Sequence, residues 1–406
     1  MAPIRNVPSP RPPPPPPPEV KETKAPETAA RGNVVARPTG LRPEQAPAET
    51  KATARPTGLR PEQAQDTFQA QPLARPQPFA AVEGAAAPGK VGAPQKPVPS
   101  GEPVIAVFDG GVDFKHSDLD SAMWTNPGEI AGDGLDNDGN GVKDDLHGFN
   151  AGFESGDVMR GSGTDHGTHV AGIIAAEDNG QGNTGIAAGK AKVMSVGGMY
   201  DGADLLTNFE RGVDYVVKMK QDFGVNVRAV NASFGDTYTN KADQARWTAA
   251  VQKLADADIL LLAATANGNG SNMNKVADMP ANLDLPNVLT VASMDKNNDK
   301  LARFSSHGDK VVELAAVGED VLSTVPGGKW EEMSGTSMAT PTVAAAAALM
   351  FAANPKLTAA QARDLLVKTV EVDPDLKGKV STSGKLDINA AVAAARALAE
   401  EPVATR

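Results

Sequence analysis

Five short apolar runs constrain the fold of this chain more tightly than any other feature: "PVIAVFDGGVD" from Pro103 to Asp113, then "AKVMSVGGM", "VRAVNASFG", "ILLLAATANG" and "NVLTVASMD". Each runs into Gly, Asn or Asp, the pattern of a strand buried on both faces with a turn at its carboxyl end. Between several of them lie stretches of helical character, "LLTNFERGVDYVVKMKQDFG" and "KADQARWTAAVQKLADA". Alternating strands and helices predict an α/β fold: a mainly parallel central sheet covered on both faces, three layers in all. Further helices are expected after "GTS", at "LTAAQARDLLVKTV" with Thr358 as cap, and at "INAAVAAARALAEE". Sites in such sheets form outside the carboxyl ends of the strands, so the residues that close these runs are the first candidates for function.

Residues 1–100 obey a different rule. They hold 23 of the 32 prolines, including "RPPPPPPPEV", and sustain no period of 2 or 3.6, so they are expected to be disordered or polyproline-like, with a folded domain over 101–400. An 18-residue repeat, "ARPTGLRPEQA" at Ala36–Ala46 and again at Ala54–Ala64, is too short and polar to bury a core and reads as a duplicated linker. Charge divides at the same boundary: 13 Lys and Arg stand against 8 Asp and Glu in residues 1–100, and 26 against 42 afterwards. An acidic folded part and a weakly basic tail without a dense Lys/Arg block exclude a nucleic-acid footprint. The absence of cysteine removes disulfides and thiolate chemistry. The opening "MAPIRNVPSPRP" has no apolar h-region, and no run of about 18 apolar residues marks a membrane span. Export without a standard leader is expected ahead of a cytoplasmic location, and a monomer is expected.

The chemistry-bearing residues concentrate in three places. Asp109 closes the first run; alone it would read as a turn former before two glycines. "GTDHGTHVAGIIAA" brings together His166 and His169, two of only five histidines, just before a small-residue helix. Two imidazoles three residues apart could ligate a metal, but the segment lacks the Glu of H-E-x-x-H and a third ligand. "SGTSMATP", Ser334–Pro341, crowds four hydroxyls at the mouth of an apolar helix. They could simply cap it, or one could be a nucleophile placed where free N–H groups stabilise an oxyanion. Asp109, His166 and Ser337 together would supply a carboxylate to hold the imidazole, an imidazole to take a proton, and a hydroxyl to attack a carbonyl.

The segments "IAVFDGGVDFKHSDL", "DHGTHVAGIIAA", "NASFG", "VLTVASMDKNNDKLARFSSHG", "ELAAVGEDVLSTVPGG" and "MSGTSMATPTVAAAAAL" resemble the successive signature blocks of the subtilisin-like serine proteases, in family order across Pro103 to about Ala394. The resemblance implies a subtilisin-like fold and a serine endopeptidase acting through an acyl-enzyme, with Asp109, His166 and Ser337 as the triad and His169 structural. It also implies that Ser233, Phe234 and Gly235 pair with the substrate main chain, which gives broad sequence preference as the default. Protein or peptide substrates are the implied partners. A catalytically silent scaffold that binds peptides or partner proteins is the alternative, and it would be free to lose triad members that this chain retains.

The chain departs from the family pattern in places. The oxyanion-hole asparagine normally stands in "AAGN", whereas here the text is "LLLAATANGNG". Aligned from the strand, Asn267 takes the role and Ala266 replaces the glycine; a two-residue shift would give it to Asn269. Thr342 and Ala345 stand where a His and a Gly are common, and no segment resembles the folded inhibitory propeptide. Finally, "GDGLDNDGNGVKDD" spaces Asp136, Asp138 and Asn140 two apart, followed by Gly141, Asp144 and Asp145. Oxygen side chains alternating in a Gly-rich loop suit Ca²⁺, with Asp136, Asp138, Asn140, Val142 and Asp145 as candidate ligand positions, although no Glu completes an EF-hand.

Overall fold

Val104–Phe108 forms β1, and its side chains divide between two cores: Ile105 and Val107 face one, Val104, Ala106 and Phe108 the other. That alternation is the period-2 geometry of a strand with apolar packing on both sides. The structure, a computed structural model, describes residues 101–236 and 240–400. The expectations for the Pro-rich segment and its repeat fall outside the described residues.

After β1 come β2 (Gly148–Asn150), α1 (Thr164–Ala175), β3 (Lys192–Gly197), α2 (Leu205–Gln221), β4 (Val227–Ala232), α3 (Lys241–Asp256), β5 (Leu260–Ala264) and β6 (Val288–Met294). The chain continues through β7 (Leu314–Val317), β8 (Val321–Val325), β9 (Lys329–Met333), α4 (Thr336–Ala353), α5 (Ala359–Lys368), β10 (Glu371–Val372), β11 (Gly384–Lys385) and α6 (Ile388–Glu400). Nine strands form one sheet in the order β10-β11-β7-β6-β5-β4-β1-β3-β2, parallel throughout except for the β10–β11 pair. Helices α1, α4, α5 and α6 pack on one face, and α2 and α3 on the other. The three-layer α/β architecture is thus present. All five apolar runs became neighbouring strands of its centre, and Thr358 caps α5 in a capping box with Gln361.

Register places the functional edge. Phe108 lies opposite Ala232, and Ala232 opposite Ala263, so the residues that follow β1, β4 and β5 emerge along one rim of the sheet. Across the underside of that rim runs α4, whose small residues let it sit deep against the strands. Among the described residues it is the one helix long and apolar enough to cross a membrane by composition, yet 78% of it is buried inside the fold, as a core helix would be.

Some elements follow no period in the sequence. β2 has three residues, and β10 and β11 two each. The antiparallel hairpin β8–β9 stands apart from the main sheet and is tied to α1 by side chains: Ser323 Oγ donates to the His169 carbonyl at 2.7 Å and Thr324 Oγ1 to that of Thr168 at 2.8 Å.

Candidate active site

Asp109 leaves β1 at the rim, fully buried, and accepts a hydrogen bond from the Gly110 N–H at 2.7 Å. Helix α1 comes close enough to meet it because residue 167 is glycine: a Cβ there would collide with the Gly111 carbonyl oxygen. The approach sets His166 Nδ1 at 2.9 and 2.8 Å from the two carboxylate oxygens of Asp109. Burial pulls the imidazole pKa down, but the charge and hydrogen bond of Asp109 outweigh it, and the net shift is upward. An Nδ1–H held by the carboxylate leaves Nε2 as the basic nitrogen.

His169, also fully buried, bonds through Nε2 to the Glu331 carbonyl at 3.0 Å. Burial, reinforced by the nearby His166, pushes its pKa down to about 4, so it is neutral and donates to that carbonyl. It fastens α1 to the β8–β9 hairpin. Among the described residues, neither histidine belongs to a cluster of metal-ligating side chains.

The hydroxyls of "SGTSMATP" sort themselves by partner. Ser334 bonds with Asp320, Thr336 Oγ1 donates to the Thr265 carbonyl, and Thr340 Oγ1 donates to the Thr336 carbonyl at 2.9 Å. Ser337, the second residue of α4, donates to the Ser233 carbonyl at 3.1 Å. Having one proton to give, it does not give it to the imidazole in this geometry. Its own carbonyl accepts from Ser233 Oγ at 3.0 Å. Pro341 explains the second bond: with no N–H to return to residue 337, it leaves that carbonyl without a helical donor. Ser337 and Ser233 are therefore clasped reciprocally, the helix start against the strand end. The N-cap of α4 is Gly335, which has no side chain to offer, and first-turn N–H groups including that of Ser337 have no intrahelical acceptor.

Asn267 is brought to the same place. Its Oδ1 accepts from the Thr336 N–H at 3.0 Å, which fixes the amide beside Ser337 with its NH₂ as the donor end. Asn269 lies two residues on in an exposed turn, with φ of 52°. Ser233, Phe234 and Gly235 continue β4 along the rim, followed by a bridge between Asp236 and Met279. Thr342 Oγ1 bonds back to the Met338 carbonyl at 3.3 Å and Ala345 is fully buried, so both serve packing.

The acidic loop assembles a cluster the sequence only partly anticipates. Carboxylate oxygens of Glu129, Asp138 and Asp145 lie within 4.8 Å of one another. Asn126 Nδ2 joins Asp138 and Asp145, Asn140 Nδ2 does the same, and Tyr215 of α2 donates to Asp145 at 2.6 Å. Burial raises the pKa of Asp145, and the neighbouring Asp138 adds to the effect. Asp136 is turned instead to the backbone N–H groups of Gly139, Asn140 and Gly141, while the Val142 N–H is taken by Asn140 Oδ1. Glu129 was not foreseen, since it stands seven residues before Asp136 with no regular spacing to it.

Comparison with known proteins places these features in company. The family model described as the subtilase family matches residues 100–391. Subtilisin-like protease 1 of Plasmodium falciparum is 31% identical over 307 residues, 71% of this chain but 43% of the relative, so the match spans less than half of that protein's length. Subtilisin of Bacillus pumilus is 30% identical over 271 residues, covering 65% of this chain and 82% of the relative. Among solved structures, that of a cold adapted subtilisin-like serine proteinase superposes with a TM-score of 0.51 at 25% identity, covering 69% of this chain and 88% of the other.

Proposed function

The chain belongs to the subtilase family, and from that premise we propose that it is a serine endopeptidase whose nucleophile is Ser337. In this reading a peptide lies along Ser233–Gly235 with its scissile carbonyl between Ser337 Oγ and the Asn267 amide. A change of the Ser337 rotamer takes its proton from the Ser233 carbonyl toward His166 Nε2, an adjustment often completed only when substrate binds. As Oγ bonds to the carbonyl carbon, Nε2 takes the proton, and the oxyanion is met by the Ser337 N–H and the Asn267 NH₂. Collapse breaks the C–N bond while the imidazolium returns its proton to the departing amine. Water then repeats the cycle on the acyl-enzyme.

The observation that carries this reading is the buried Asp109–His166 pair, with Nδ1 held at 2.8 and 2.9 Å, on the same rim as a serine seated in the first turn of a helix whose N-cap is glycine. Such a pair stabilises imidazolium when it forms and gives a peptide-binding scaffold nothing. A fluorophosphonate probe and a casein digest test the assignment together. The wild type should label and cut, Ser337→Ala should do neither, and His166→Ala should lose roughly 10⁴- to 10⁶-fold in kcat. Casein cleavage by purified Ser337→Ala protein would overturn it.

The same reading includes a structural Ca²⁺ at Glu129, Asp138 and Asp145. The donor set fits a hard dication: three carboxylates converge in a partly buried loop, where burial first and the neighbouring Asp138 after it raise the pKa of Asp145. A bound cation would neutralise them. The chain's own contribution is the Asn126, Asn140 and Tyr215 bonds that hold two of the carboxylates in place.

A further inference from the structure

The loop that leaves β5 at the rim carries a chemical feature that the proposed reaction does not use. It reads Asn267-Gly268-Asn269-Gly270, two asparagines each followed by glycine. Glycine has no Cβ to shield its nitrogen, so that nitrogen can reach the side-chain carbonyl carbon of a preceding asparagine and expel the amide as ammonia. In a folded chain the reaction is prevented where the amide is held away from the backbone that follows it.

Four Asn–Gly pairs stand among the described residues, and three of them are held. Asn140 Nδ2 donates to Asp138 and Asp145, and its Oδ1 accepts from the Val142 N–H. Asn179 Nδ2 donates to Asp118 at 3.0 Å, and its Oδ1 accepts from the Gln181 N–H at 3.0 Å. Asn267 is pinned through its Oδ1 by the Thr336 N–H. Asn269 is the exception: its side chain is exposed and bonds to none of the described residues. It lies in the left-handed region with φ of 52°, and Gly270 follows at 79°. No atom beyond its chain neighbours lies within 4 Å of where a Gly270 Cβ would stand, so the backbone has room to turn.

Its position makes a change there consequential. Asn269 is two residues from Asn267, within about 7 Å along extended chain, and a carboxylate formed at that distance has the same sign of charge as the oxyanion that Asn267 is proposed to meet. The turn is also tethered on both sides. Thr336 holds Asn267, the Ser271 N–H and Oγ bond to the Gly268 carbonyl, and the Ser271 carbonyl accepts from the His307 N–H at 3.0 Å. An isoaspartyl linkage inserts one extra carbon into this closed stretch, and the displacement falls on its residues, Asn267 among them.

We infer that Asn269 is a site of spontaneous covalent modification, at which deamidation converts the amide to a carboxylate and slows the enzyme as it ages. The Gly270 nitrogen bonds to the Asn269 side-chain carbonyl carbon as the bond to the amide nitrogen breaks, and the Gly270 proton leaves with that nitrogen as ammonia. Water then opens the five-membered imide at either carbonyl, giving aspartate or isoaspartate. One water is consumed, and nothing is oxidised or reduced. The effect on rate rests on the peptidase reading above; the modification does not.

Full-length Ser337→Ala protein, which should not digest itself, serves for the chemistry. Held in warm, mildly alkaline buffer and mapped by peptide mass, it should convert at Asn269 at least about 10-fold faster than at the three held pairs, which must first open. An isoaspartyl methyltransferase should methylate the aged protein at that residue. For the rate, Asn269→Asp reproduces one product outright. It should lower kcat about 3- to 10-fold at low salt with KM little changed, and the loss should shrink at high ionic strength. Asn269→Gly suits the left-handed turn and has no amide to lose. It should start at the wild-type rate and keep it while the wild type declines, with rates normalised to the sites that a fluorophosphonate labels. Equal conversion at all four pairs, or none at Asn269, overturns the modification site. Conversion with unaltered kcat, both in Asn269→Asp and in the aged wild type, overturns its effect on the reaction. A wild type that neither labels nor cuts overturns the peptidase reading and the rate effect with it, while the mass map still decides the modification.

Discussion

Asn267 accepts a hydrogen bond from the Thr336 N–H through its side-chain oxygen, and that anchoring gives its nitrogen end a fixed bearing beside Ser337. Asn267→Ala should therefore lower kcat by roughly 10²- to 10³-fold with little change in KM, because the lost donor bonds the tetrahedral oxyanion more strongly than the ground-state carbonyl. Asn269→Ala, on its exposed left-handed turn, should stay near the wild-type rate. Steady-state kinetics on one peptide separate the two, and a loss confined to Asn269 would reverse the assignment. Asp109, Asn267 and Ser337 were legible in the sequence because each follows an apolar run or opens an apolar helix. Asp278 was not: that its carboxylate lies against Gly235, 43 residues away, is a product of the fold that no local pattern encodes.

Among the elements, the strands buried on both faces could be read directly, since their apolar runs have no other use in a sheet of this kind. The β8–β9 hairpin could not, because its residues grade from exposed to buried and its role lies in tethers to α1. The acidic loop falls between these cases. Its spacing announces an oxygen-rich turn, while the fold decides which oxygens converge. Calcium at 100 times its dissociation constant should add about 2.7 kcal/mol of stability, read as a difference in Tm between excess Ca²⁺ and EGTA. Glu129→Gln and Asp138→Asn should abolish most of that difference, whereas Asp136→Asn, whose carboxylate serves backbone N–H groups, should keep most of it. The reverse pattern would mean that the ion follows the linear spacing.

At the scale of the whole molecule, two apolar cores are built on opposite faces of one sheet, and the candidate chemistry occupies the rim between them. Helix α4 is the longest piece of the larger core, so a small error in its tilt would ordinarily be magnified at its end. The reciprocal Ser233–Ser337 bonds, made possible by the hydrogen that Pro341 lacks, remove that lever arm. Ser337 and the end of β4 are calibrated against each other where they touch, and the rest of the helix is free to be merely well packed. Ala347→Gly, a fully buried change ten residues further along α4 that costs about 1 kcal/mol in helix propensity, should lower Tm. The rate of fluorophosphonate labelling at 25 °C should be unaltered. A labelling rate that fell with Tm would mean that the alignment of Ser337 is inherited from the whole length of the helix. Tolerance of that kind separates the positions where the molecule can drift in sequence from those where it must hold its aim.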